Sequence, residues 1–312
     1  MVDNRRTGQL GSVIGSAVVR VGVVILPSMP WAEARPVWQQ AEALGAHTAW
    51  TYDHLTWRDL RDGPWFSALP LLTAVAGITT DLRLGTLVTS PNFRHPVTLA
   101  KEAMTVDDIS GGRLTLGIGA GGTGWDAEAM GQPAWSPGER AGRFAEFVDQ
   151  LDQLLTDPAT DRLDGDGYRA VDARTIPRCT QRPRLPFAVA GGGPRALAVT
   201  ARHGQTWVTL GDPRRAAELD QDACLEVARR QSGQPDAACE AIGRDPGELE
   251  RLYMQGATTE PWLESVEAFR DLAGRYQEIG FTDVALHWPR REPPYVADET
   301  TFAEILATAT AS

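Results

Sequence analysis

Residues 82–122 read LRLGTLVTSPNFRHPVTLAKEAMTVDDISGGRLTLGIGAGG, and this stretch decides the fold. Two short aliphatic runs, 82–88 and 114–118, enclose a segment with helical spacing at 97–109. Apolar runs of this length, bounded by Gly and Pro, are typical of buried strands. A strand–helix–strand unit of this kind predicts two parallel strands of one sheet.

The same alternation continues in both directions along the chain. Further strands are predicted at 18–26, 47–52, 187–190, 206–210, 251–256 and 283–287. Helices are predicted at 33–44, 66–77, from about 137 to 155, at 194–203, between 213 and 242, at 266–279 and at 301–308. Eight strands alternating with helical segments predict an α/β fold, a single (β/α)8 TIM barrel.

The length of 312 residues fits one barrel with an insertion. Residues 157–183 show little apolar periodicity, so we expect an inserted segment before the fifth strand, with a hairpin around 165–168. We expect residues 1–16 to be a flexible extension and 17–312 to form the barrel domain.

Composition excludes several classes of function. The chain has 30 Lys and Arg against 41 Asp and Glu, a net charge of −11, and an acidic surface repels nucleic acid. No run approaches 18 uncharged apolar residues, so no membrane-spanning helix is expected. The three cysteines, Cys179, Cys224 and Cys239, lack the spacing of a disulfide framework or a zinc site. We therefore expect no metal.

The predicted location is the cytoplasm, where cysteines stay reduced. Arg5 and Arg6 precede an apolar run and raise the alternative of an export signal. The polar residues 7–9 and the interruption by Arg20 argue against that alternative.

In a barrel of this kind the active site lies at the carboxyl ends of the strands. Tyr52-Asp53-His54 ends the second strand. A histidine there can hydrogen-bond a cofactor ring or move a proton near neutral pH. The alternative is an aspartate that caps a helix, followed by a surface histidine.

Glycines end two other strands. Gly191-Gly192-Gly193-Pro194 joins a strand to a helix, and free N–H groups at a helix N-terminus suit a phosphate. The alternative is a tight turn that merely needs glycine. Residues 117–122 contain G-x-G-x-x-G, but the following residues do not continue as a long helix. We therefore favour a flexible loop over a ligand rather than a dinucleotide-binding turn.

Tryptophan is abundant, with ten residues against five tyrosines. Several fall in predicted loops at the carboxyl end of the barrel and predict an apolar substrate pocket, with packing between loops as the alternative. The residues expected in this pocket are Trp31, Trp57, Trp125, Ser90, His287 and Trp288. No motif for a nucleophile or a metal accompanies them, which indicates a cofactor that supplies the chemistry.

Four segments in this order resemble the bacterial luciferase-like superfamily, in its branch that uses the deazaflavin coenzyme F420. They are Tyr52-Asp53-His54-Leu55, residues 84–91, residues 107–121 and residues 186–194, and the resemblance covers about 18–290. It implies a TIM barrel and an F420-dependent oxidoreductase that transfers a hydride between the deazaflavin and a small organic substrate. The first alternative is an FMN-dependent monooxygenase served by a separate reductase. A non-catalytic flavin carrier is the alternative from another class.

The resemblance also implies roles for individual residues. His54 and Asp53 would be catalytic and contact the cofactor, with His54 bonded to its ring. Leu87-Val88 would be a non-proline cis peptide behind the ring, and residues 191–194 would bind the cofactor's phosphate. Thr89, Ala120 and Gly121 would complete the cofactor site. A homodimer is expected.

The sequence departs from the pattern after the fourth strand. Sugar-phosphate dehydrogenases of this branch carry an acid there, in a Gly-Thr-Gly-Glu-like segment, whereas this chain has Ala120-Gly121-Gly122. Oxidation of a sugar phosphate is therefore not the favoured reaction. The proton donor on the substrate side stays open among Asp126, Glu128, Ser90 and His287.

Overall fold

A computed structural model describes residues 19–57, 60–122, 124–215 and 217–310. Eight parallel strands close into a barrel in the order β1-β2-β3-β4-β7-β8-β9-β10. They are β1 (Arg20–Val24), β2 (Thr48–Thr51), β3 (Arg83–Thr89), β4 (Leu114–Gly119), β7 (Phe187–Ala190), β8 (Thr206–Thr209), β9 (Glu250–Met254) and β10 (Asp283–His287). The predicted TIM barrel is confirmed, while the expected extension at 1–16 lies outside the described residues.

The helices cover the outside of the barrel. They are α1 (Trp31–Ala43), α2 (Ala68–Ala76), α3 (Pro96–Ile109), α4 (Trp125–Ala129), α5 (Pro137–Thr156), α6 (Pro194–His203), α7 (Gln221–Ser232), α8 (Gln234–Glu240), α9 (Val266–Glu278) and α10 (Glu299–Thr310). Most boundaries fall within two residues of the prediction. The sequence does not predict the five-residue helix α4 or the short 3-10 helix Pro246–Glu248, and the segment 213–242 contains two helices, α7 and α8.

The strands are buried on both faces, which explains their continuous apolar runs. All six residues of β4 are buried. The interior of the barrel holds a cluster that includes Trp50 and Leu252. A Cβ atom on Gly85 would lie 2.4 Å from the ring of Trp50, so glycine at this position makes room for the tryptophan.

The insertion before the fifth barrel strand contains the predicted hairpin. Strands β5 (Arg162–Asp164) and β6 (Arg169–Val171) pair antiparallel. The carboxylate of Glu146 on α5 accepts hydrogen bonds from the backbone N–H groups of Gly167 and Tyr168. These bonds hold the hairpin turn against α5.

The barrel closes between its first and last strands. Strands β1 and β10 pair over five residues, from Arg20 opposite Asp283 to Val24 opposite His287. Two hydrogen bonds join the Arg20 guanidinium to the Asp283 carboxylate at 2.8 and 2.6 Å, at the amino end of the barrel. Within the described ranges, no helix combines the length and the apolar character needed to cross a membrane.

Candidate active site

A cavity of about 420 Å³ opens at the carboxyl ends of the strands. Its wall is mostly apolar and comes from the ends of six strands and from helix α7. The residues that line it are Tyr52, His54, Trp57, Leu87, Val88, Ser90, Gly119, Ala120, Gly121, Gly122, Ala190, Gly191, Gly192, Val208, Thr209, Leu210, Gly211, Gln231 and Met254. This is the position at which barrel enzymes place their active sites.

His54 is the titratable imidazole in this wall, and its partner is Asp126. Nδ1 of His54 lies 2.7 Å from Oδ2 of Asp126, and the side chains are 17% and 4% exposed. The second oxygen, Oδ1, accepts a hydrogen bond of 2.8 Å from the backbone N–H of Leu55. Asp126 is brought there by α4, the short helix at the edge of the loop after β4. The ring nitrogen that is not bonded to Asp126 is Nε2.

Asp53 does not pair with its neighbour His54. Its carboxylate, on a residue only 1% exposed, accepts two hydrogen bonds from the Arg94 guanidinium, at 2.7 and 3.0 Å. Burial lowers the pKa of Arg94, but the hydrogen bonds and charge of Asp53 outweigh burial and raise it. Asp53 is absent from the cavity wall among the described lining residues. The carboxylate of Asp53 therefore faces Arg94, and its contact with a cofactor stays a prediction.

Aromatic rings surround His54. The ring of Trp57 lies 4.7 Å from the His54 ring at an angle of 36°, and 4.9 Å from the ring of Tyr52. The indole N–H of Trp65 donates to the backbone oxygen of His54 at 2.9 Å. These contacts fix the imidazole between a buried carboxylate and an indole face.

His287 lies behind Tyr52 rather than in the cavity wall. Its Nε2 is 2.9 Å from the Tyr52 hydroxyl, and the Tyr295 ring stacks on it at 3.5 Å. Burial lowers the pKa of His287 to about 3, so the imidazole is neutral. The side chain is 1% exposed and supports Tyr52 from behind.

The end of β3 forms the back of the cavity. The peptide bond between Leu87 and Val88 is cis, as the resemblance implies, and both residues line the cavity. Ser90 lines it as well and is 1% exposed. Within the described part of the chain, the hydroxyls of Ser90 and Thr89 have no hydrogen-bond partner. A buried polar atom of this kind is normally satisfied by a ligand or water.

The glycines after β7 form a loop that meets the N-terminus of α6. Gly191 has a φ of 153°, Gly193 is the N-cap residue and Pro194 begins the helix. The N-cap glycine has no side chain to cap the helix, and among the described residues no atom lies within 4 Å of a Cβ atom added to Gly193. The first backbone N–H groups of α6 are therefore open to an anion.

The glycines in the second half of β4 and just after it serve close packing. A Cβ atom on Gly117 would lie 1.9 Å from the backbone oxygen of Thr86, and one on Gly119 would lie 2.7 Å from Cγ2 of Val88. Gly121 has a φ of 78° and packs against the side chain of Asn92. The G-x-G-x-x-G pattern thus brings β4 against β3 and is not followed by a long helix.

Four residues expected in the substrate pocket lie elsewhere. Trp31 begins α1 and is 38% exposed, and Trp288 packs against Phe302 of α10. Trp125 begins α4, and His287 lies behind Tyr52. Among the described residues, Trp57 and Ser90 are the two members of the predicted pocket that line the cavity. Glu128, a candidate proton donor, is exposed on α4.

The chain is similar in sequence to known proteins over most of its length. A family model described as luciferase-like monooxygenase matches residues 12–252. An F420-dependent glucose-6-phosphate dehydrogenase of Beutenbergia cavernae is 31% identical over 306 residues, covering 85% of this chain and 88% of that protein. A 4-hydroxyprotoasukamycin monooxygenase of Streptomyces nodosus subsp. asukaensis is 29% identical over 214 residues, covering 67% and 57%.

Solved structures share the fold. The coenzyme F420-dependent tetrahydromethanopterin reductase of Methanopyrus kandleri superimposes with a TM-score of 0.73 at 17% identity, over 95% of this chain and 99% of that one. At this identity the similarity describes the barrel and not its chemistry.

Proposed function

This chain belongs to the luciferase-like monooxygenase family, and we propose that it is a coenzyme F420-dependent oxidoreductase. It transfers a hydride between the deazaflavin and a small organic substrate. The observation that carries the proposal is an apolar cavity with His54 on one side and the free N-terminus of α6 on the other. The F420-dependent relative at 31% identity over most of the chain supports the same cofactor.

The loop of Gly191, Gly192 and Gly193 holds the phosphate of the cofactor. Its backbone can approach an anion closely because no Cβ intervenes, and the positive end of the α6 dipole favours negative charge there. Pro194 at the first position of α6 has no N–H to leave unsatisfied.

Leu87 and Val88 line the cavity and would hold the flat ring of the cofactor. Ala120 and Gly121 border the same space, and small residues there leave room for a ring. The unpartnered hydroxyl of Ser90 is available to a polar atom of the ring or the substrate. The apolar wall excludes water, which protects a hydride transfer from side reactions.

When bound, the deazaflavin accepts or donates the hydride. The protein supplies orientation and a proton path. In the direction of alcohol oxidation, Nε2 of His54 would accept the hydroxyl proton of the substrate, while the carbon that bears this hydroxyl gives up the hydride. In the direction of carbonyl reduction, His54 returns that proton to the oxygen.

Titration of the purified protein with F420 and, separately, with FMN tests the proposal, with binding followed by fluorescence. Micromolar or tighter binding of F420, and weaker binding of FMN, is the expected result. F420 reduction by a panel of secondary alcohols, and F420H2 oxidation by carbonyl and unsaturated compounds, then identifies the substrate class. Preferential binding of FMN would overturn the F420 assignment.

An FMN-dependent monooxygenase is the second candidate, favoured by the monooxygenase relative at 29% identity. This function needs a separate reductase as an electron-supplying partner. Reaction of the reduced, FMN-loaded protein with oxygen distinguishes it, because a deazaflavin reacts poorly with oxygen. The predicted homodimer and the predicted cytoplasmic location belong to the proposal, and light scattering of the purified protein tests the dimer.

A further inference from the structure

We propose that Asp126 is the positioning residue of the active site, and that it selects the tautomer of His54 that accepts a proton at Nε2. Only the chemical reaction in this inference rests on the proposed function. The pairing itself is a property of the chain and can be measured without any ligand.

The distances define what Asp126 does. Its Oδ2 lies 2.7 Å from Nδ1 of His54, while its Oδ1 accepts the N–H of Leu55 at 2.8 Å. An ionised carboxylate only accepts hydrogen bonds, so the proton in the first bond belongs to Nδ1. A neutral His54 therefore carries its proton on Nδ1 and a lone pair on Nε2.

Burial strengthens this arrangement. The Asp126 side chain is 4% exposed, and hydrogen bonds to a charged group are stronger away from water. The other carboxylate near His54 in the sequence is Asp53, which Arg94 holds through two hydrogen bonds. Asp126 is thus the carboxylate that faces His54, although 72 residues separate the two in the chain.

The same pairing joins α4 to the loop after β2. Oδ2 of Asp126 bonds the imidazole of His54, and Oδ1 accepts the backbone N–H of Leu55, and both residues lie in the loop after β2. Gly124, just before α4, packs against Ala134, where a Cβ atom would lie 2.5 Å away. A single carboxylate therefore fixes the imidazole and the position of the loop that carries it.

His54 and Asp126 together account for the proton that the substrate releases. During alcohol oxidation the C–H electron pair would leave as a hydride, which the deazaflavin takes up when bound. The electron pair of the O–H bond becomes the second carbon–oxygen bond of the carbonyl group, and the released proton forms a bond with Nε2 of His54. The resulting imidazolium shares its Nδ1 proton with Asp126, whose negative charge offsets the new positive charge. The reverse sequence protonates a carbonyl oxygen.

Asp126→Asn is the decisive variant because it keeps the shape and changes one oxygen to an NH2 group. When the amide oxygen accepts the hydrogen bond from the N–H of Leu55, the NH2 group faces Nδ1 of His54. Because an NH2 group donates, Nδ1 must accept, and the proton of the neutral ring moves to Nε2. The matched control is Glu128→Gln, which removes one negative charge from the exposed side of the same helix.

The first measurement is the ¹⁵N spectrum of the imidazole rings in the ligand-free protein, at about two pH units above the ordinary imidazole value. The chain has five histidines, and a His54→Asn spectrum assigns the signal. The expected tautomer of His54 is Nδ1–H in the parent protein and in Glu128→Gln, and Nε2–H in Asp126→Asn. An Nε2–H tautomer in the parent protein would overturn the proposal, even if the variant does not fold.

The second measurement separates positioning from binding. In Asp126→Asn, kcat is expected to fall about 10²-fold or more, with the dissociation constant of F420 within about 3-fold of the parent value. Unchanged kcat would overturn the role of Asp126. Failure of the parent protein to bind F420 would instead overturn the proposed function and leave the tautomer result standing.

Discussion

Both carboxylate oxygens of Asp53 are bonded to the guanidinium of Arg94, one residue away from the histidine of the cavity. The Asp53 side chain is 1% exposed and that of Arg94 is 12% exposed. Nη1 of Arg94 donates a further hydrogen bond of 2.9 Å to Oε2 of Glu102. The pair fixes the end of β2 to the loop that precedes α3.

Arg94→Met is therefore expected to destabilise the fold. It leaves the buried Asp53 carboxylate unpaired, and breaking a buried pair in this way costs about 3–5 kcal/mol. Urea denaturation measures the free energy of unfolding. Arg162→Met, which breaks the exposed pair with Asp164, is the control and should leave it unchanged. Equal effects of both variants would contradict a structural role for the Asp53–Arg94 pair.

The burial of His287 predicts a dependence of stability on pH. Burial lowers its pKa to about 3 in the folded protein, whereas the unfolded chain takes up the proton near pH 6.5. The unfolded state thus binds more protons between these values. Stability contributed by the neutral imidazole is complete above about pH 6.5 and is lost as the pH falls toward 3, at up to about 1.4 kcal/mol per pH unit.

His287→Gln should reduce the slope of the free energy of unfolding against pH. Urea denaturation between about pH 4 and pH 7 measures this slope, because the neutral imidazole loses its stabilising effect in that range. His203→Gln is the control with the opposite sign. Burial lowers the pKa of His203, but its hydrogen bonds to Asp149 and Asp152 outweigh burial and raise it. The stability that this imidazole contributes is complete below its unfolded pKa of about 6.5 and is lost only as the pH rises above that value. Its removal should therefore leave the slope between pH 4 and about pH 6 unchanged. An unchanged slope in His287→Gln would show that the ring is protonated in the folded state.

Gly192→Asp tests the phosphate loop. A side chain fits there, because the nearest atom to an added Cβ is Oε1 of Gln234 at 3.7 Å. A carboxylate at the N-terminus of α6 would repel the phosphate, so F420 binding should weaken at least about 10-fold relative to Gly192→Asn, or about 1.4 kcal/mol. Added salt should reduce the difference. Identical binding by the two variants would place the phosphate elsewhere.

Two glycines, one that ends β4 and one in the loop after it, predict contrasting outcomes. Gly119→Ala places its Cβ 2.7 Å from Cγ2 of Val88, which must move toward the cavity. We expect a loss of about 1–3 kcal/mol in stability and weaker cofactor binding. Gly122→Ala is the control, because no atom lies within 4 Å of its Cβ, and it should resemble the parent protein in both measurements. A destabilised Gly122→Ala would mean that the loop packs differently.

The barrel could be predicted from the sequence because each strand is a short apolar run bounded by Gly, Pro or polar residues. Burial on both faces makes such runs continuous, and the helices between them keep the 3.6-residue period. Helix α4 was missed because five residues contain barely more than one turn, too few to show a period. The placement of Gly191, His54 and Val88 at strand ends followed from the same alternation.

The partners of these residues could not be read from the sequence. Asp53 is adjacent to His54 in the chain, but successive residues at a strand end point in different directions, and Asp53 turns to Arg94. Asp126 reaches His54 only through the fold. The tryptophans of the loops illustrate the same limit, since Trp31 and Trp288 lie in predicted loops at the correct end of the barrel yet pack away from the cavity.

The pairing of β1 with β10 has a consequence for synthesis on the ribosome. The hydrogen bonds between Arg20 and Asp283 join residues 263 positions apart. Strand β1 can therefore pair with β10 only after the ribosome has synthesised nearly the whole chain. Until then β1 and β9 each present an open edge, and open edges invite pairing with other chains. Chains truncated before β10 are therefore expected to aggregate instead of forming a smaller barrel. Synthesis of β10 removes both open edges, because this strand closes the barrel between β9 and β1.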